Sequence, residues 1–260
     1  MSGSVLSIFV ALISVLLPVS VTGQDNPDPV MDAVATRSKP RGSLAWFKAG
    51  VKLTRNGKYK AALKYFEKAK SMSPGWALPY LEIAVAHLMT DNDRKAIGAA
   101  LAKAVRYGPE IPRARYLYGI FLQEQGDRKG AISEFIDALK KRPSMLDARY
   151  RLATLFVEDG RQADGIKQFE LVLQQQPSHL GARRNLAVLY EQSGQLELAE
   201  QQLLAIAKME PSNTWFLTSL GRFYERAGWK KKAQAAFRRA QRLEPSRHRR
   251  NLRPLLKSRN

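Results

Sequence analysis

Six prolines, Pro74, Pro109, Pro143, Pro177, Pro211 and Pro245, recur from Ser43 onward at intervals of 35, 34, 34, 34 and 34 residues. A unit of this length holds two short helices but cannot bury their apolar faces unaided, so it must stack on its neighbours. Between the prolines each unit carries two amphipathic stretches of helical length, split by a breaker. In five units the breaker is a glycine: Gly57, Gly126, Gly160, Gly194 and Gly228. Each unit is therefore expected to be a helical hairpin.

The sixth unit reads Leu217, Leu220, Gly221 and Tyr224, then Gly228, Ala233, Phe237, Ala240 and Pro245. The first agrees through Trp46, Gly50, Leu53, Gly57, Ala62, Phe66, Ala69 and Pro74, and the third through Gly119, Leu122, Gly126, Ala131, Phe135, Ala138 and Pro143. This pattern resembles the tetratricopeptide repeat (TPR). The resemblance implies an all-α fold, a right-handed α-solenoid of six TPR hairpins, with units at 43–76, 77–111, 112–145, 146–179, 180–213 and 214–247. Residues 248–260 would form a short basic C-terminal cap or tail, in which Pro254 interrupts any long helix.

The eighth and twentieth positions of each unit lie where its two helices cross, and bulk there would push them apart. Small residues stand at all twelve: Gly50, Ala84, Gly119, Ala153, Ala187 and Gly221 at the eighth, and Ala62, Ala96, Ala131, Gly165, Ala199 and Ala233 at the twentieth. Phe66, Phe135, Phe169, Leu203 and Phe237 are expected to fill the space between the helices. The second unit departs from this pattern. It has one extra residue, His87 in place of an aromatic (read here as a core substitute), and Asp91-Asn92-Asp93 as its breaker. Either its turn is longer and Ile97 takes the small site, or its second helix bulges by one residue near Ala100. The longer turn is the preferred reading.

The first 23 residues carry no charged side chain, and Val5 to Val21 is an apolar run broken only by serines and one proline. It reads as an export signal cleaved near Gly23; an uncleaved anchor and a buried N-terminus are the alternatives. Export would place the repeats in the periplasm or at the envelope of a bacterium. Residues 24–42, with Pro27, Pro29 and Pro40 and balanced charge, read as a linker.

In proteins of this family, positions two, five, nine, twelve and thirteen of the first helix line a concave groove. Here those positions and their neighbours present Phe47, Arg113, Tyr116, Tyr150, Arg184, Arg222 and Arg226 as candidate partner-binding residues. Rings are anchors with little rotamer entropy to lose and guanidinium groups fork onto carboxylates, a combination suited to a protein or an extended peptide. Packing between units is the competing role for any of these rings. The Lys and Asn pair with which some relatives hold a C-terminal carboxylate is absent, Arg184 and Asn185 being adjacent instead.

The net charge of +20 is polarised: residues 229–260 hold 12 bases and one acid, and residues 43–76 eight bases and one acid. Lys60, Lys64 and Lys68 form a stripe on the second helix of the first unit, and Arg247, Arg249, Arg250 and Arg253 crowd the tail. Both ends are candidates for an anionic envelope surface. A nucleic-acid-binding repeat is the rival, favoured by the pI of about 10.3 but opposed by the export signal and by the unrelated residues at position five of successive units.

Catalytic chemistry finds no foothold. With no cysteine there is no thiolate nucleophile or ligand; His87, His179 and His248 fall in different units with no metal-ligand spacing. Gly57-Lys58 lacks the remainder of a phosphate loop, and no nucleophile elbow or cofactor loop is present. The function expected is therefore that of an exported scaffold, neither an enzyme nor dependent on a cofactor, serving assembly of a cell-envelope complex such as a secretion, pilus or polysaccharide-export system.

Overall fold

The computed structural model describes residues 42–243. The segments read as an export signal and a linker, up to residue 41, and the tail from residue 244, with Arg247, Arg249, Arg250, Arg253 and His248, lie outside the described residues. Twelve α-helices and no strand occur among the described residues. They pair as α1 (Ser43–Arg55) with α2 (Tyr59–Met72), α3 (Ala77–Leu88) with α4 (Arg94–Tyr107), and α5 (Pro112–Glu124) with α6 (Arg128–Lys141). The others are α7 (Leu146–Glu158) with α8 (Gln162–Gln175), α9 (Leu180–Gln192) with α10 (Leu196–Met209), and α11 (Thr214–Arg226) with α12 (Lys230–Leu243). The odd-numbered helices are the first of each unit, the even-numbered the second. Packing divides the chain at residue 145 into two bodies, α1 to α6 in the first and α7 to α12 in the second.

One local device closes five of the hairpins. The breaker glycine takes a left-handed conformation, for instance φ 82° at Gly126 and 77° at Gly160. The next residue's N–H then reaches the carbonyl five residues back: Asp127 to Leu122 at 2.9 Å, Arg161 to Phe156 at 2.8 Å, Trp229 to Tyr224 at 2.8 Å. This satisfies carbonyls that the helix end leaves without partners. At the following helix start the Asp127 carboxylate accepts from the Gly130 N–H at 2.9 Å, and Pro112 opens α5 where a missing N–H costs nothing.

The crossings pack as the small-residue rule requires. A Cβ on Gly50 would stand 2.6 Å from the Phe66 ring, and one on Gly119 2.7 Å from the Phe135 ring. In the fourth unit, where Ala153 takes position eight, the glycine moves to position twenty, and a Cβ on Gly165 would meet Val157 at 2.5 Å. Every unit with Phe at position 24 thus has one glycine at its crossing. The fifth unit, with Leu203 there, has Ala187 and Ala199 instead. Large and small residues trade volume across the same joint, as a core at crystalline density demands.

The second unit has the longer turn. Its Asn92 N–H reaches the His87 carbonyl at 2.8 Å, the bond that Asp127 makes to Leu122. In the third unit Asp127 both makes that bond and caps the next helix, whereas here the cap is the following residue, Asp93, whose carboxylate accepts from the Ala96 N–H at 3.0 Å. Helix α4 has 14 residues without a bulge, so its register is shifted by one. Ile97 is buried at the crossing while Ala96 is half-exposed. The expectation of Ala96 at the twelfth small site is corrected accordingly, and Leu101, the position-24 residue in this register, offsets the larger Ile97. His87 is no core residue either: its Nδ1 lies 3.0 Å from the Asp91 carboxylate at the helix end. That contact holds the exposed Asp91 carboxyl below its ordinary pKa.

Candidate functional site

Successive residues of a helix turn by about 100°, so positions two and nine lie roughly 100–120° around the axis from position eight, which faces the second helix; position five lies about 60° away, between core and open face. Side-chain size decides where a position-five residue ends up.

In the first body that residue goes inward. Phe47 is buried, its ring 5.6 Å from Phe66 and 4.8 Å from Trp76. Tyr116 is buried too, 5.9 Å from the Phe135 ring. Both are core groups here, which removes them from the surface a partner could touch. Arg113 is spent on Glu82, at 3.0 Å across the α3–α5 contact. Positions two, five and nine of α3 are Leu78, Leu81 and Val85, all buried, as is Ile120 at position nine of α5.

The second body presents the opposite arrangement. Tyr150 is half-buried, its ring 5.5 Å from Phe169 and 4.9 Å from His179, and its hydroxyl accepts from the Asn185 amide at 3.2 Å. His179 is held as an N-cap, accepting from the Ala182 N–H at 3.1 Å. Arg184 is exposed and lies 5.6 Å from the centroid of the Phe216 ring. Arg222 is exposed, and Arg226 forks onto Glu191 with bonds of 2.6 and 3.0 Å, which raises its already high pKa. The same two helices expose Val188, at 50%, and Trp215, at 61%.

Trp215 occupies position two of the sixth unit and was missed by a reading centred on position five; its place in the register was the signal that pointed to it. The α9–α11 face thus offers a large exposed ring, an apolar step and two lightly held cations, chemistry suited to an extended acidic segment with an apolar side chain.

Below this face, position four supplies struts that the sequence reading did not find. The Arg115 guanidinium donates to the Pro109 carbonyl at 2.6 Å and to Glu134 at 3.0 Å, and Arg183 donates to the Pro177 carbonyl and to Gln202. Each ties a first helix both to its partner helix and to the proline-marked end of the preceding unit. Burial outweighs Arg115 at Glu134 and leaves that carboxyl with a raised pKa.

Lys60, Lys64 and Lys68 are exposed along α2, opposite the buried Ala62, Phe66 and Ala69. At the other end α12 exposes Lys230, Lys231, Arg238, Arg239 and Arg242, while Lys232 pairs with Glu200 at 2.8 Å. Among the described residues no cluster of His, Asp and Glu is placed to hold a metal, and no helix is long and apolar enough to cross a membrane. A concavity at the turns, around Gly160, Arg161, Asp164 and Ser193, is shallow and converges no reactive groups.

Family models for the tetratricopeptide repeat match residues 44–75, 94–144, 122–180, 150–214 and 216–247. The chain belongs to the tetratricopeptide repeat family. The matched stretches leave out α3 and the lengthened turn after it. This TPR protein is similar in fold to YrrB, a TPR protein with an unusual peptide-binding site, at 21% identity and a TM-score of 0.60 over 70% of this chain and 93% of that one. It is similar also to PilF of Pseudomonas aeruginosa, at 20% identity and 0.59 over 82% and 97%. A third likeness is to MamA of Desulfovibrio magneticus RS-1, at 24% identity and 0.56 over 66% and 97%. No curated protein matches. TPR proteins are in general non-catalytic scaffolds that bind proteins or peptides, and this one has that architecture.

Proposed function

We propose that the protein is an exported, non-enzymatic adaptor that holds an extended acidic peptide of a partner protein on the α9–α11 face of its second body. Its basic ends, α2 with Lys60, Lys64 and Lys68 and the C-terminal arginines, contact an anionic envelope component, in the assembly of a secretion, pilus or polysaccharide-export complex. The observation that carries the peptide reading is the exposed Trp215, on the same helix as the exposed Arg222 and next to Phe216, over whose ring the exposed Arg184 lies. Solvent-facing rings of that size are costly to leave in water and gain most from a partner's apolar side chain. The description of YrrB as peptide-binding agrees with this reading, and the uncharged N-terminal run supports export.

The test pairs a pull-down from envelope fractions with a fluorescence titration by acidic peptides. Trp215→Ala and Arg222→Ala are the informative variants, because substituting the buried Tyr116 would damage the core instead. Loss of a specific partner in both variants, with the helical signal intact, is the expected result. Recovery of identical partners, or capture of nucleic acid in a steeply salt-dependent manner, refutes it.

A further inference from the structure

The struts at position four have a partner at position twenty-three, and in three successive units the pair is polar. Arg115 donates to Glu134 at 3.0 Å, Arg149 to Gln168 at 3.0 Å and Arg183 to Gln202 at 2.8 Å. In the third and fifth units the same guanidinium clips the proline carbonyl of the unit before, so these two positions mark the side of a hairpin that meets its predecessor. The first unit has no predecessor among the described residues, and there the pair is Trp46 with Tyr65, ring centroids 5.6 Å apart. Trp46 is 41% exposed. Met72, seven residues after Tyr65 and so on the same face of α2, is exposed as well, as is Ala61 one turn before it. Lys64 and Lys68 stand three residues on from Ala61 and Tyr65 and border this apolar face. Lys70, about 140° further round the helix from Tyr65, lies 5.9 Å from the Tyr80 ring of the second unit, which puts the Trp46 and Tyr65 side away from the following hairpin.

We propose that this end of the first unit is a docking face for an anionic lipid bilayer, with Trp46, Tyr65 and Met72 seated among the headgroups and Lys60, Lys64 and Lys68 on their phosphates. The inference rests on the reading that the basic ends meet an anionic envelope component, and it specifies that component as lipid. Tryptophan and tyrosine settle at the headgroup level of a bilayer, where an amphipathic ring has one part in an apolar medium and one part in a wet one. Seven of the eight bases in residues 43–76 are lysine. An ammonium group is a compact, strongly hydrated charge without the fork that matches a particular carboxylate, so the face suits a plane of anions of no fixed geometry better than an acidic peptide. A second copy stacked end to end is disfavoured, because both ends of the repeat array are basic and like charges would be set together.

Since the chain has no cysteine, Ala61→Cys on α2 and Ala163→Cys on α8 of the second body, both at exposed positions, can each carry a single environment-sensitive fluorophore in the full chain. Vesicles of phosphatidylcholine with about 30% phosphatidylglycerol should raise and blue-shift the emission at position 61 and leave position 163 unchanged. Vesicles of phosphatidylcholine alone should bind about tenfold more weakly or worse. Insertion of the uncharged N-terminal run needs no anionic lipid, so the two kinds of vesicle separate it from docking through α2. Changing Lys60, Lys64 and Lys68 together to Gln should weaken binding on the order of a hundredfold. Trp46→Arg with Tyr65→Gln installs the polar pair of the fourth and fifth units and adds a positive charge, yet should weaken binding about tenfold for want of the rings. Each variant should keep the helical signal of the parent, its new side chains being exposed or copied from a sister unit.

An unchanged probe at position 61, or an equal response to both kinds of vesicle, overturns the proposal. So does undiminished binding by the variant with Trp46→Arg and Tyr65→Gln, which would make the contact one of charge alone. A response at position 61 to polyglutamate but not to vesicles overturns it while leaving the broader reading of an anionic partner in place. A response to duplex DNA alone removes both.

Discussion

The exchange of volume at the helix crossings makes a quantitative claim about Gly119 and Phe135. In Gly119→Ala the new methyl would stand 2.7, 2.9 and 3.2 Å from three atoms of the Phe135 ring, where about 3.5–4.0 Å is comfortable. The ring has no room to retreat, being fully buried with the Tyr116 ring 5.9 Å away. Overpacking of this kind costs about 1–3 kcal/mol, and the better helix propensity of alanine returns about 1 kcal/mol, leaving a net loss of about 1 kcal/mol. Phe135→Leu alone leaves a void and costs about 1 kcal/mol. Together the two changes recreate the Ala187 and Leu203 combination of the fifth unit. The double variant should therefore lose much less than the sum of the single ones, with a favourable coupling of about 1–2 kcal/mol. Urea unfolding followed by circular dichroism, with the denaturant slope held constant across the four proteins, measures this cycle. Additive losses agreeing within about 0.5 kcal/mol would refute the idea that glycine stands at position eight to admit the ring.

Gly126→Ala should cost about 1–2 kcal/mol from its left-handed backbone alone, because a Cβ there meets nothing within 4 Å; Gly126→Asn should cost less, and equal urea midpoints for the two would contradict the conformational account. Asp93→Ala should remove about 1 kcal/mol by uncapping α4, which hydrogen exchange at Ala96 and its neighbours would register as faster opening of that helix end. Burial, followed by the hydrogen bonds to Glu170 and Glu200, pushes the Tyr190 and Tyr224 hydroxyls above the ordinary 10.0. Their contribution to stability is thus complete below pH 10.0 and is lost as pH rises beyond it. An ultraviolet titration should show late-ionising phenols of which two vanish in Tyr190→Phe and Tyr224→Phe, Tyr80 being raised by burial as well, whereas all nine tyrosines ionising together would contradict the geometry.

The hairpins, their breakers and eleven of the twelve small sites were legible in the sequence, because the period of the prolines carries the register from unit to unit. Ala96 misled because an insertion in a turn leaves no mark on the pattern until the helix after it is aligned by its own apolar face, where Ile97, Leu101 and Ala104 are the buried set. The binding face was harder to read. Position five sits at the border between core and surface, so Phe47 and Tyr116 swing onto the rings of Phe66 and Phe135, and Arg184, with no apolar end to bury, stays outside. Trp215 was visible as a residue type and at a groove position, but its exposure depends on what the sixth unit packs against, which no local pattern encodes. The division at residue 145 had no signature in spacing, whereas the struts from Arg115 and Arg183 to proline carbonyls did, since Arg115, Arg149 and Arg183 recur every 34 residues, each six after a repeat proline, a period that a reading centred on the groove positions passed over.

The lengthened turn at Asp91-Asn92-Asp93 shows where this architecture keeps its slack. The added residue splits between Asn92 and Asp93 the two roles that Asp127 combines, ending one helix and starting the next, so both helices meet their neighbours as though nothing had been inserted. Connectors of this sort are the natural places to graft an epitope, a fluorophore or a tether, whereas a single residue added inside any helix would rotate everything downstream by more than a quarter of a turn.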